Sequence, residues 1–301
     1  MACADTRCRG AAMSLLQVNS DDLPDGPRLR AALERLPPGA PVVVMIHGFK
    51  FAPGSSSDPH RHILSLEPRR DCWKSVSWPR HLGLAGGGGL AIGFGWPARG
   101  SIWRAWRASA RAGRRLSRLL TMLREVAPER PIHLVGHSLG ARVALLALPG
   151  LPERTVGRII LISAAVFRTE ATRLAVSPAG CSAEIFNVTG RENTLFDLLL
   201  RLAMPLGGRT LGQGGPSGRN WLDLPLDRSG PLLALRGLGY RISAPRARIC
   251  HWSGYLRPGV WRLYRALLLT PARTPLPLLR NRLVADRERE SAWRLAALRR
   301  A

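Results

Sequence analysis

A doubly wound α/β domain, with a mostly parallel sheet and helices on both faces, is the fold class this sequence predicts. Three observations predict it. Four runs, Pro41–Ile46 (PVVVMI), Leu90–Phe94 (LAIGF), Pro131–Val135 (PIHLV) and Gly157–Ile162 (GRIILI), are continuously apolar rather than alternating, as suits strands buried on both faces. Helical stretches at Ile102–Val126, Ser138–Leu148 and Thr194–Met204 fall between or after them, and that alternation builds parallel sheets through crossovers. A chain of 301 residues that is 46% hydrophobic and 22% charged is also long and apolar enough for one large core.

Taken in order, residues 1–19 read as an N-terminal extension, unstructured before Met13, and 20–270 as the single domain. Pro41–Ile46 supplies the first strand. Phe51–Gly89 contains SSSDPHRH and ends in a glycine run, so it is mostly loop with one short helix. Glu184–Val188 is a shorter fifth strand and Arg246–Cys250 (RARIC) a weak sixth, followed by a closing helix at Trp261–Leu269. Between these last strands, 205–239 is rich in Gly and Pro and reads as an insertion, with a flap over a site as its sharper reading. Residues 271–301 form a proline-punctuated linker and then a charged helix.

The formal charge is +25, from 45 Lys and Arg against 20 Asp and Glu, and only Lys50 and Lys74 are lysines. The arginines spread through the whole chain, so the charge speaks to solubility and adhesion more than to function. No nucleic-acid-binding signature accompanies it. Arg104, Arg107, Arg111, Arg114 and Arg118 recur at three- and four-residue spacing on one predicted helix. They form a solvated outer face that could associate weakly with an anionic membrane surface. Arginines interrupt every Leu-rich run, which excludes a membrane-spanning bundle. Five scattered cysteines without a C-x-x-C pair give neither a disulfide scaffold nor a zinc cage. Asp58-Pro59-His60-Arg61-His62 lacks further clustered ligands and reads as a loop or short helix near a site mouth. The expected location is the cytoplasm, with no signal-peptide core.

The chemistry centres on one G-x-S-x-G match, Gly136-His137-Ser138-Leu139-Gly140. A buried strand runs into it without a gap and an apolar helix begins at once, the setting in which a serine is thrust above a sheet. Larger residues at Gly136 or Gly140 would clash across so tight a turn. Leu139 follows with a backbone N–H at the helix N-terminus, aimed where an oxyanion would form. Serine needs a base, and of the histidines only His251 lies after Ser138. The orienting carboxylate belongs in the loop after Glu184–Val188, so Glu192 is placed first and Asp197, one helical turn on, second; Asn193 could also orient an imidazole, though a neutral amide stabilises imidazolium less. His47-Gly48-Phe49 follows the first strand, and the Phe49 N–H is the expected second oxyanion donor.

From VVVMIHGF, FGWPARG, HLVGHSLGARVAL and the late His251, the chain resembles the α/β-hydrolase superfamily, specifically its bacterial esterase- and lipase-like members, over Pro41–Leu269. The resemblance implies Ser138 as nucleophile, His251 as general base and the Leu139 and Phe49 amides as the oxyanion hole. It implies a carboxylic ester, small or lipid-like, as substrate and no cofactor or metal. Members usually carry an aspartate where Arg191-Glu192-Asn193-Thr194 stands here, and Ser163–Ala183 is short for the usual cap. The alternatives are an acyltransferase, thioesterase or amidase with the same triad, or a catalytically silent module binding anionic surfaces.

Overall fold

The computed structural model describes residues 15–283. Seven parallel strands form one sheet: β1 (Leu15–Asn19), β2 (Val42–Ile46), β3 (Leu90–Gly95), β4 (Ile132–His137), β5 (Arg158–Ile162), β6 (Glu184–Thr189) and β7 (Trp221–Pro225). Their spatial order is β1-β3-β2-β4-β5-β6-β7, every pairing being parallel. The chain steps to one side of β2 for β3 and to the other for β4. That reversal of winding direction opens a crevice at the carboxyl ends of neighbouring strands, where open α/β sheets bind ligands.

The strand sequences explain the two-layered core. Every residue of β2 (VVVMI) is buried, and because successive side chains point to opposite faces, Val42, Val44 and Ile46 enter one apolar cluster while Val43 and Met45 enter the other. The first cluster is covered by α1 (Gly26–Glu34), α3 (Ile102–Val126), α4 (Leu139–Leu146), α5 (Arg168–Ala175) and α6 (Pro178–Ser182). The second is covered by α2 (Trp78–His81), α8 (Ser229–Gly237), α9 (Ser253–Leu256) and α10 (Val260–Leu269). Helix α3 starts where the Ser101 side chain accepts the Arg104 N–H, and its buried face, mostly alanine and leucine, packs chiefly against α4. Its outer face carries Arg104, Arg107, Arg111, Arg114 and Arg118, all exposed, as the spacing predicts. Between β6 and β7 lies α7 (Thr194–Ala203), an exception to the burial of the others. Only Asp197 and Leu200 on it are buried, while Leu198, Leu199 and Leu202 are exposed.

Four boundaries differ from the sequence reading. The 1–19 extension is too long by at least five residues, because Leu15–Asn19 is edge strand β1, paired along its length with β3; residues 1–14 lie outside the described part. Segment 205–239 is not a flap: it contains β7, paired with β6, and α8, whose Leu235 is fully buried. Arg246–Cys250 forms no strand; its few apolar residues leave it an irregular connection. Of the 271–301 tail, the part up to residue 283 is not a linker, since a helical stretch over 276–283 buries Leu276, Leu279 and Leu283 in the second cluster. The charged helix expected beyond it lies outside the described residues. No helix among the described residues is long and apolar enough to cross a membrane.

Candidate active site

Ser138 sits between β4 and α4 with φ 56° and ψ −123°. A non-glycine residue pays about 1–2 kcal/mol for such a left-handed φ, so the surroundings must hold it there. They do so through three backbone bonds: the Ser138 N–H donates to the Ile162 carbonyl (3.0 Å), and its own carbonyl accepts from Ala141 and Ala165 (both 3.1 Å). The flanking glycines are required by close approach. A Cβ at Gly136 would come within 2.6 Å of the Gly140 carbonyl oxygen, and one at Gly140 would strike the carbonyl oxygens of Ile46 and His47. Bulk at either position would push α4 off β2 and unmake the elbow.

Strand β2 lies beside β4 in register and delivers His47-Gly48-Phe49 against the serine. Gly48 is so close that a Cβ there would lie 2.8 Å from the Ser138 Cβ. His47 fixes this loop. Its Nε2 accepts the Trp96 N–H (3.0 Å), so Nδ1 carries the proton and donates to the Gly48 carbonyl (2.9 Å). The Trp96 indole N–H then donates to the His47 carbonyl (2.9 Å), with the two rings stacked at 5.5 Å. Burial drives the His47 pKa down to about 3, which keeps Nε2 an acceptor at neutral pH. Neither the Phe49 nor the Leu139 N–H donates to another group among the described residues, so both stay available to an incoming oxygen.

Because Arg246–Cys250 forms no strand, His251 stands on the irregular stretch before α9. It is nevertheless brought to the elbow. The His137 ring lies 4.6 Å from the His251 ring, and its Nε2–H donates to the His251 carbonyl (3.0 Å). Phe196 of α7 stacks on the other side at 4.5 Å. His251 Nδ1 donates to Asn193 Oδ1 at 2.6 Å, and this leaves Nε2 unprotonated, the nitrogen a base would use. Burial, then the charges of His137 and Lys74, hold its pKa well below the ordinary imidazole value. At neutral pH the ring is therefore in its basic form.

The carboxylates are arranged differently from the order expected. Glu192 does not meet His251. Its Oε1 accepts from the Ser253 hydroxyl (2.6 Å) and faces the Arg257 guanidinium at 3.5 Å, and its carbonyl accepts the Cys250 N–H (2.8 Å). Glu192 thus grips the chain on both sides of His251 without touching the ring. Asp197 lies one step behind the imidazole: Asn193 Nδ2 donates to its Oδ2 at 3.0 Å. The row is His251, Asn193, Asp197. Burial pushes the Asp197 pKa up to about 6, against the Asn193 bond that lowers it. Asn193 is the residue whose sequence signal was ambiguous, since an amide between two carboxylates reads first as their neighbour. Trp96 and Phe196 were missed as site residues, because nothing in their local pattern distinguishes a ring that braces a histidine from a core ring.

The histidines of the DPHRH run are not gathered as ligands. His60 Nε2 donates to Asn19 Oδ1 (2.8 Å), and Asp58 caps its own turn by accepting the His60 N–H (2.9 Å).

An all-parallel doubly wound sheet with a strained serine at the turn after its central strand has the architecture of the α/β-hydrolase fold. A family model for an alpha/beta hydrolase of unknown function (DUF900) matches residues 81–175, the stretch that holds β3, α3, β4 and the Ser138 elbow. Among solved structures the chain is similar to a thermophilic esterase, Est2, from the planctomycete Thermogutta terrifontis, in its propionate-bound form. That likeness has 12% identity and a TM-score of 0.31, over 62% of this chain and 74% of that one. No curated protein matches.

Proposed function

We propose that the protein is a serine hydrolase acting on a carboxylic ester through an acyl-enzyme. Ser138 Oγ attacks the ester carbonyl while His251 Nε2 takes its proton, and the oxygen that gains charge is held by the Phe49 and Leu139 N–H groups. Collapse of the tetrahedral adduct breaks the bond to the alcohol, which leaves with the proton from His251. Water then attacks the acyl carbon, giving one proton to His251, and Ser138 Oγ departs and recovers it. Asn193 keeps the imidazole in the tautomer that exposes Nε2, and ionised Asp197 behind it supports the imidazolium formed in each half.

The observation that carries this reading is the left-handed Ser138, set against the Gly48 loop, with His251 held beside the elbow by its contacts with the neighbouring His137. Its test is hydrolysis of p-nitrophenyl esters from short to long acyl chains by wild type and Ser138→Ala. The serine variant should retain its circular dichroism and lose at least about 10³-fold in kcat. Equal turnover by the two proteins, or none by wild type on any chain length, overturns the proposal.

A further inference from the structure

A cavity of about 330 Å³ opens beside the oxyanion loop, with Phe49, Lys50, Lys74, Trp252 and Tyr255 in its lining. Its lining includes Phe49, whose N–H is a proposed oxyanion donor, and Trp252, the residue after His251, but neither Ser138 nor His251 itself. Its lining contains Lys50 and Lys74, and they are the only lysines in the chain; every other one of its 45 basic residues is arginine. In a sequence so biased to guanidinium, both lysines line one cavity. An ammonium is a compact point charge with rotatable donors, suited to meeting a single small anion rather than a planar fork.

Neither lysine is neutralised by a carboxylate among the described residues. The two acids on the lining are otherwise engaged: Asp71 pairs with Arg69, and Asp58 accepts the backbone N–H groups of Gly54 (3.2 Å) and His60 (2.9 Å). Lys74 Nζ rests 3.4 Å from the centre of the Trp252 ring, a contact that fixes the ammonium in place while leaving its charge uncompensated. Lys50 has φ 75°, a conformation that glycine or asparagine would adopt with less strain. A long cationic side chain at that position, next to the Phe49 donor, points to a role for the side chain itself.

We propose that this cavity receives the acyl part of an ester bearing a second, ionised oxyacid group, with Lys50 and Lys74 as the residues that recognise that anion. This specificity rests on the ester-hydrolase reading, but the anion site can be examined apart from it.

The experiment compares ethanol release from monoethyl adipate and diethyl adipate, substrates alike in acyl length and different in end charge. Wild type should prefer the monoester, and Lys74→Gln should reduce the monoester-to-diester ratio of kcat/KM by about 10- to 100-fold, the scale of a charge-assisted hydrogen bond. Using the ratio removes any general loss. Lys74→Arg should restore part of it. In parallel, calorimetry on Ser138→Ala, with and without Lys74→Gln, measures binding of adipate and of inorganic phosphate. Lys74-dependent binding without turnover of either ester would uphold the anion site while the hydrolase reading falls. Tighter phosphate than adipate would assign the anion as a phosphate. Turnover with no preference for the charged ester, or a ratio that Lys74→Gln leaves alone, overturns the proposal. Should Lys74→Gln not fold, added salt on wild type decides: monoester kcat/KM must fall with ionic strength while that of the diester does not.

Discussion

Asp197 is the residue whose protonation the site can least ignore. It is buried, its pKa stands at about 6, and it meets His251 only through Asn193. Burial also holds His251 well below the ordinary imidazole value, so the limit expected on the acid side is ionisation of the aspartate. Activity should therefore rise with pH through about 6 as Asp197 ionises. In Asp197→Asn this limb should move to lower pH, where His251 titrates. The plateau should drop about tenfold, for loss of a partly screened charge worth on the order of 1–2 kcal/mol. A pH profile of kcat/KM for both proteins checks this; an unmoved limb would remove Asp197 from the mechanism. At this scale the sequence was informative for Ser138, whose two glycines have a steric reason visible in the motif. It was uninformative for the acid, because which of Glu192, Asn193 and Asp197 faces the imidazole depends on one turn of 3₁₀ backbone at Arg191–Asn193. No pattern of residue types specifies that rotation.

Among the elements, α4 carries the elbow and is anchored by a charge. Arg142 forms a two-bond pair with Glu170 of α5 (2.9 and 2.7 Å), donates to the Trp106 carbonyl and the Ser109 hydroxyl of α3, and lies over the Trp106 ring at 3.6 Å. Three helices on one face of the sheet thus meet at one guanidinium. Arg142→Ala leaves Glu170 and two α3 acceptors without it, and should cost about 3–5 kcal/mol, read as a lower urea midpoint at unchanged m-value. A change below about 1 kcal/mol would show the cluster to be ornamental. The legibility of elements follows their burial. β2 through β6 lie inside the sheet and are apolar on both faces, so continuous hydrophobic runs mark them. β1 and β7 are its edges, and β7 (WLDLP) includes a half-exposed Asp223 and a terminal Pro225, residues that edges tolerate and that make a strand look like loop. RARIC errs the other way, with apolar residues at its end but no partner strand to pair with.

For the molecule as a whole, buried histidines set the acid limit. Burial lowers His47 to about 3 and His133 and His137 to about 4. A group depressed in this way contributes stability above its unfolded pKa, near 6.5, that is lost as pH falls toward the folded value. Asp197 works in the opposite sense, because its folded pKa is raised: it gains a proton in the folded state first, and below about 6 its contribution grows. Burial also lowers His62 to about 4 and depresses His60 and His251, so the lowered histidines outnumber the one raised carboxylate and the net is a loss of a few kcal/mol per pH unit, enough to exhaust an ordinary stability of about 5–15 kcal/mol within a few units. Circular dichroism should show cooperative unfolding between about pH 6 and pH 4. A native signal retained at pH 3.5 would mean that these histidines are not held neutral by the fold. Stability is also distributed unevenly. Helix α7, which places Phe196 against His251, buries two side chains and is tied across to α3 by the Trp103 indole N–H on the Ala203 carbonyl (2.9 Å). With so little apolar surface to re-expose, it is a segment that can detach at low cost while the sheet beneath stays intact. The His251 ring is therefore roofed by a lightly pinned shingle, and a product too large for the cavity mouth would have a second way out.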